Sequence, residues 1–240
     1  MKRNLSALAN DPCNALVIAH RGFSGRYPEN TLSAIRAAIR LGVDLVEIDV
    51  HETTDGKLIV FHDYRLNRIC GVPGRVRDTT AARIRKLNPA VPTLDEVLQA
   101  CWGKTRLLIE IKRATPGKVA AAIRRHRLQR QVIVFASSFK RLAEFAEAAP
   151  EITRFGLIDR QDWNRLPVTV SGLGVNHRRL RSRRVVAQLH QRGWKVFVWT
   201  VNQPAAMRRL RDWGVDGLIT NFPDRAVKII GGRVMDLHAG

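Results

Sequence analysis

Apolar and polar positions alternate between two patterns along almost the whole chain. Short β-branched runs are followed by stretches in which apolar residues recur every three or four positions. The first pattern predicts strands buried on both faces, the second amphipathic helices. Strand-like runs lie at Leu16–Ala19, Val43–Val50, Leu58–Phe61, Arg106–Ile111, Val132–Ala136, Thr153–Ile158, Val168–Gly172, Lys195–Thr200 and Gly217–Thr220. Helix-like stretches lie at Thr31–Leu41, Thr93–Cys101, Pro116–Arg127, Ser138–Ala149, Ser182–Arg192, Pro204–Trp213 and Asp224–Ile230. Thr31, Thr93 and Ser182 are suitable N-caps, and Pro204 suits a first helical turn. Gly42, Gly193 and Gly214 stand where helices should stop. Strands alternating with helices predict a parallel α/β fold. Leu58–Phe61 follows a tight turn, and setting it aside leaves eight strands. Eight βα units in 240 residues predict a (β/α)8 TIM-type barrel, with an open doubly wound sheet as the alternative. No linker or change of composition divides the chain, so one domain over 1–240 is expected. A small insertion after the second strand, about 52–92, interrupts it, with a short helix at Thr79–Lys86.

Composition changes this picture little. Hydrophobic residues make up 45% and charged residues 26%, as in an ordinary globular protein. No apolar run approaches the roughly 20 residues of a membrane span, so no transmembrane segment is expected. Met1-Lys2-Arg3 could open a secretory leader. Asn4, Ser6, Asn10, Asp11 and Asn14 then interrupt the apolar stretch a leader needs, which points to a cytoplasmic protein. Cys13, Cys70 and Cys101 are odd in number and lack zinc-finger spacing, so they read as plain thiols.

The net charge of +20 could signal an anionic partner. Arginine outnumbers lysine 32 to 9, however, and base composition of the coding sequence alone can produce such a bias. Apart from Arg124-Arg125 and the stretch Arg178 to Arg184, the charge is dispersed. Nucleic-acid readers concentrate charge and interleave aromatics, and only Trp194 lies close to the second cluster. A nucleic-acid partner is not expected.

The chemistry gathers at strand ends, where βα barrels keep their active sites. Strand one ends in His20-Arg21-Gly22, strand two in Glu47-Ile48-Asp49, strand three in Glu110-Ile111-Lys112. Strand seven ends in Trp199-Thr200-Val201-Asn202. Glu47 and Asp49 are two apart on a strand and face one side. Such carboxylates repel unless a cation lies between them. A hard divalent ion with oxygen ligands fits, with Glu110 as third carboxylate; ion pairing to arginines is the structural alternative. Asp55-Gly56 between two extended runs predicts a two-residue hairpin. Thr54 would then pair with Lys57 and His62 with Asp49, which returns His62 and Asp63 to the same place. Cleaving a phosphodiester requires one proton removed and one supplied, and histidine can do either near neutrality. Arg21 and Lys112 would offset charge on phosphorus.

His20-Arg21-Gly22, Pro28-Glu29-Asn30-Thr31, Glu47-Ile48-Asp49-Val50, Thr54-Asp55-Gly56 and His62-Asp63 together resemble the glycerophosphodiester phosphodiesterase family in order and spacing. Glu110-Ile111-Lys112, Trp199 to Asn202 and Asp216 to Thr220 resemble its later motifs. The resemblance implies a TIM-type barrel that hydrolyses glycerophosphodiesters to sn-glycerol 3-phosphate and an alcohol. By position, His20 and His62 become the acid/base pair. Glu47, Asp49 and Glu110 become ligands of Ca2+ or Mg2+, and Arg21 and Lys112 contact phosphate. The substrate's 2-hydroxyl would attack phosphorus, giving a cyclic phosphate that water opens. One position departs: Asn221 stands where the family usually has Asp, which bears on headgroup preference if that position touches substrate.

Trp199 is expected to wall the glycerol pocket or to pack. Glu29 is either a pocket residue or a carboxylate favoured by the start of a helix. His51 follows Asp49 at strand spacing and suits the rim. Two other readings remain. A lysophospholipase D-type enzyme would use the same site, although the chain offers no amphipathic membrane helix. A basic nucleic-acid-binding protein on a barrel without catalysis conflicts with the intact histidine and carboxylate set.

Overall fold

The computed structural model describes residues 15–159 and 170–230. Cys13 and the start of the strand expected at Val168–Gly172 lie outside them. Among the described residues, nine strands form one sheet: β1 (Leu16–Ala19), β2 (Leu45–Glu52), β3 (Leu58–Val60), β4 (Arg106–Arg113), β5 (Val132–Ala136), β6 (Thr153–Ile158), β7 (Gly172–Asn176), β8 (Lys195–Trp199) and β9 (Gly217–Thr220). All but β3 are parallel. β1 pairs with both β2 and β9, which closes the barrel. β3 lies antiparallel on the last residues of β2.

The helices that follow these strands are α1 (Leu32–Arg40), α4 (Leu94–Cys101), α5 (Pro116–Arg125), α6 (Phe139–Ala148), α7 (Arg183–Gln191), α8 (Pro204–Asp212) and α9 (Pro223–Ile230). Thr31 caps α1 by accepting from the Ala34 amide. Thr93 and Glu96 form a reciprocal capping box on α4. Two apolar layers result. Val17, Val46, Ile109 and Val134 face outward against the helices. Leu16, Ile18, Leu45, Leu108, Ile133, Phe135, Phe155, Phe197 and Ile219 fill the interior. Along β1, β2 and β4 the inward positions begin apolar and end in the polar residues of the site. The strand period of two therefore sets where the core stops and the chemistry starts.

The insertion has a small core of its own, with Ile59, Phe61, Leu66, Val76, Ile84 and Val91 buried together. It carries α2 (Asn67–Cys70), one 3-10 turn (Val76–Asp78) and α3 (Ala81–Leu87). The last falls on the predicted short helix, with Thr80 as its cap.

Two expectations are corrected. The hairpin register is one residue from the predicted one: Val50 pairs with Val60, and the Phe61 amide donates to the Asp49 carbonyl at 2.9 Å. The turn holds three residues, with Gly56 at φ 71°. The Gly56 amide donates to the Thr53 carbonyl, and Lys57 N–H donates to the buried Thr53 hydroxyl oxygen. Thr53 thus closes a longer loop than Asp-Gly alone suggests. The sixth barrel strand lies at Gly172–Asn176 rather than Val168–Gly172. Its glycines, unfavourable in most strands, are required here. A Cβ at Gly172 would come within 2.6 Å of the Phe155 ring and of the Lys195 carbonyl oxygen.

Candidate active site

The C-terminal ends of the strands surround a cavity of about 280 Å3. His20, Arg21, Glu47, His62, Glu110 and Lys112 line one part of it; Phe135, Leu157, Trp199 and Ile219 form an apolar wall; Ser137, Asp159 and Thr200 complete it.

Local backbone geometry builds the charged part. After β1 the chain turns through Arg21 and Gly22 at φ 55° and 76°. A Cβ on Gly22 would come within 2.6 Å of the Ala34 backbone, so α1 packs directly under the turn. The turn aims the Arg21 amide at Glu47 Oε2, 2.9 Å away. The Arg21 side chain donates to Glu29 at 3.0 Å and lies 3.3 Å from Asp49. Asn30, itself at φ 58°, is buried. Its Nδ2 donates to Asp49 Oδ2 at 2.9 Å, and its Oδ1 accepts from the Asp49 amide at 3.3 Å.

Glu47, Asp49 and Glu110 are buried with ligand oxygens within 4.8 Å of one another. Burial pushes Glu47 well above the ordinary carboxylate range, and the negative Asp49 adds to the effect. The same two causes raise Glu110 to about 7. Burial also opposes ionisation of Asp49, but the Arg21 and Lys112 charges outweigh it and hold that carboxyl low. Lys112 sits 3.0 Å from Glu110 and 3.7 Å from Asp49. These carboxylates outweigh its own desolvation and raise its affinity for a proton. Three converging carboxylates under mutual repulsion are hard oxygen donors that suit a divalent cation, which would relieve the repulsion.

The two histidines have different neighbours. The ring of His20 is half-buried, with Nδ1 2.6 Å from Asn221 Oδ1 and Nε2 3.9 Å from Glu47. Burial first, and the Arg21 charge second, lower its pKa to about 4. His62 is half-buried, and its Nδ1 lies 2.7 Å from Asp63 Oδ1. Asp63 and Glu29 are both bound by Arg68, at 2.7 to 2.9 Å. The Arg68 bonds, and after them the His62 contact, hold Asp63 far below its usual range despite partial burial.

A model of the glycerophosphoryl diester phosphodiesterase family matches residues 20–225, which includes every residue of this cavity. The chain belongs to that family. Among its relatives, the glycerophosphodiester phosphodiesterase of Bacillus altitudinis is 32% identical, over 89% of this chain and 97% of that one. The enzyme of the same name from Caldanaerobacter subterraneus is also 32% identical, over 90% and 97%. The crystal structure of a glycerophosphodiester phosphodiesterase from Thermotoga maritima superposes with a TM-score of 0.78 at 28% identity, over 90% and 98%. The likeness therefore extends over whole barrels.

This family member brings His20, Arg21, Glu47, His62, Glu110, Lys112 and Trp199 to one cavity. Asp49 sits directly behind. Glu29 pairs with Arg21 and Arg68 at the edge. His51 is buried; its Nε2 contacts the His62 carbonyl oxygen at 3.1 Å and its ring meets Tyr64 edge-on. Asn202 does not line the cavity: its Oδ1 accepts from the Asn221 amide at 2.9 Å and the Thr220 hydroxyl at 3.2 Å. Asn221 touches the His20 ring, so the one departure from the family pattern falls beside a histidine. Sequence reasoning missed Asn30 and Arg68 as parts of the site. Asn30 had a signal, because it lies within Pro28-Glu29-Asn30-Thr31. Arg68 had none in a chain so rich in arginine. No helix among the described residues is long and apolar enough to cross a membrane.

Proposed function

We propose that this chain, acting as one domain, hydrolyses glycerophosphodiesters to sn-glycerol 3-phosphate and an alcohol, with His20 and His62 as its acid/base pair. The observation that carries the reading is that both imidazoles line one cavity with a buried three-carboxylate cluster and Lys112. One histidine removes the proton of the attacking oxygen and the other supplies one to the leaving oxygen. The substrate's own 2-hydroxyl is the attacking group; it displaces the alcohol to give a cyclic phosphate, which water then opens to glycerol 3-phosphate. Arg21 and Lys112 hold the phosphoryl oxygens, while the apolar wall with Trp199 excludes water around the glycerol. Glu47, Asp49 and Glu110 would hold Ca2+ or Mg2+, which would supply Lewis-acid charge at phosphorus.

Turnover of glycerophosphocholine and related diesters, read as released glycerol 3-phosphate, tests the reading. His20→Ala and His62→Ala should each keep the wild-type circular dichroism and lose about a hundredfold or more in kcat. Near wild-type rates in either would remove that residue from the pair. Excess EDTA should abolish turnover, and added Ca2+ or Mg2+ should restore it; full activity in chelator would dismiss the metal.

A further inference from the structure

We propose that Asn221 is a positioning residue that fixes the tautomer of His20, with the proton on Nδ1 and an unprotonated Nε2 presented to the cavity. The inference rests on the reading of His20 as a proton-transfer group.

Asn221 Oδ1 lies 2.6 Å from His20 Nδ1. An amide oxygen only accepts, so this contact requires the proton to sit on Nδ1. Among the described residues, nothing at hydrogen-bond distance draws the proton to the other nitrogen. Glu47 Oε2 is 3.9 Å from Nε2 and already accepts from the Arg21 amide. Nε2 is therefore left with its lone pair. In this tautomer the proton of an attacking hydroxyl passes to Nε2, and the resulting imidazolium keeps its Nδ1–H on Asn221.

Asn221 is itself held at several points. Its amide donates to Asn202 Oδ1 at 2.9 Å. Its carbonyl accepts from the Gly25 amide at 2.8 Å. Gly25 must be glycine for this, because a Cβ there would lie 2.5 Å from that carbonyl oxygen. The Ser24 hydroxyl lies 3.1 Å from Oδ1 and 2.7 Å from the His20 carbonyl oxygen, bracketing the pair. A side chain anchored in this way can orient an imidazole, as the third member of a catalytic triad does. The network also gives Asn202 a role, acting on Asn221 from behind.

The test is the 15N spectrum of the imidazoles at neutral pH, with the His20 signals assigned by their loss in His20→Ala. We expect a protonated Nδ1 and an unprotonated Nε2 in the wild type. Asn221→Leu should shift His20 toward the other tautomer and lower kcat by about a hundredfold, with KM nearly unchanged. Asn221→Asp keeps the acceptor oxygen and should restore the tautomer and most of kcat. Asn202→Ala, which leaves both side chains in place, should give a partial version of the Leu effect and serves if Asn221→Leu fails to fold. A wild-type His20 protonated on Nε2 would overturn the proposal. So would wild-type kcat in Asn221→Leu, or equal damage from Leu and Asp. The tautomer is measurable in a protein that turns over no diester, so failure of the functional reading would be distinguishable from failure of this one.

Discussion

Asn30 shows how much one side chain can determine here. It lies in the left-handed region, which asparagine tolerates better than other non-glycine residues. Both ends of its amide bond Asp49, a carboxylate that is 1% exposed. Asn30→Ala would leave Asp49 short of two partners, at a cost of about 2 kcal/mol, and would add backbone strain of about 1 kcal/mol. If the carboxylates hold a divalent cation as proposed, the same change should raise the cation concentration needed for half-maximal activity by about tenfold or more, as loss of a residue supporting a ligand commonly does. Denaturant unfolding and a metal titration of turnover measure the two effects. Asn30→Gly separates them, because it relieves the strain and still lacks the amide. A metal titration unchanged in both variants would show that Asp49 needs no such support. His20, Glu47 and Asp49 were legible in the sequence because strand spacing alone puts them at one end and on one side. Arg68 was not, because its role depends on the insertion folding back to Glu29, 39 positions away in sequence, which no local pattern encodes.

At the scale of elements, periodicity located most strands and helices, and side-chain detail decided the exceptions. The hairpin was visible in Asp55-Gly56, but its register depended on the Thr53 hydroxyl, which binds Lys57 N–H and enlarges the loop. His62 still reached the site, since a one-residue slip moves the strand by little more than 3 Å. β7 was misplaced because its inward residues are glycines. Their function is to leave room for Phe155 and Leu157 on the neighbouring strand, a fact of packing that propensity cannot show. Gly172→Ala should therefore be costly, by about 2–3 kcal/mol, because one of the atoms it meets at 2.6 Å is the backbone oxygen of Lys195 and cannot give way. Gly174→Ala meets only side-chain atoms, the end of Leu157 at 3.0 Å and the Phe135 ring at 3.4 Å, and should cost about 1 kcal/mol or less. Thermal melts of the two variants provide the comparison; equal losses would refute the packing account of β7.

The whole molecule divides its labour between the two ends of the barrel, as this fold does generally. The strand C-termini gather charges that repel or strain one another, and the opposite end carries ion pairs that bind strands together. Asp216, just before β9, is the clearest of these. Its carboxylate accepts from the Val196 amide at 2.8 Å, the His190 ring at 2.7 Å and Lys195 at 2.9 Å. Its own backbone bonds Val196 and Leu16. One residue thus joins β8, β9 and β1 to α7. In a chain of net charge +20, a carboxylate among cations is favourably placed. Burial opposes its charge, but the His190 contact and the Val196 and Lys195 bonds prevail and lower its pKa. A folded-state pKa below the unfolded value means that the contribution is complete above the unfolded pKa of about 4. It is lost as pH falls through the folded value. Asp216→Asn keeps the shape and removes the charge, so it should cost about 1–2 kcal/mol at neutral pH. The gap to wild type should close progressively below about pH 4. Because the site lies at the other end, kcat should be unaffected under conditions where the variant is folded. Denaturant unfolding of both proteins across that pH range checks the argument, and a gap that stays constant with pH would mean that the Asp216 charge contributes nothing to closing the barrel.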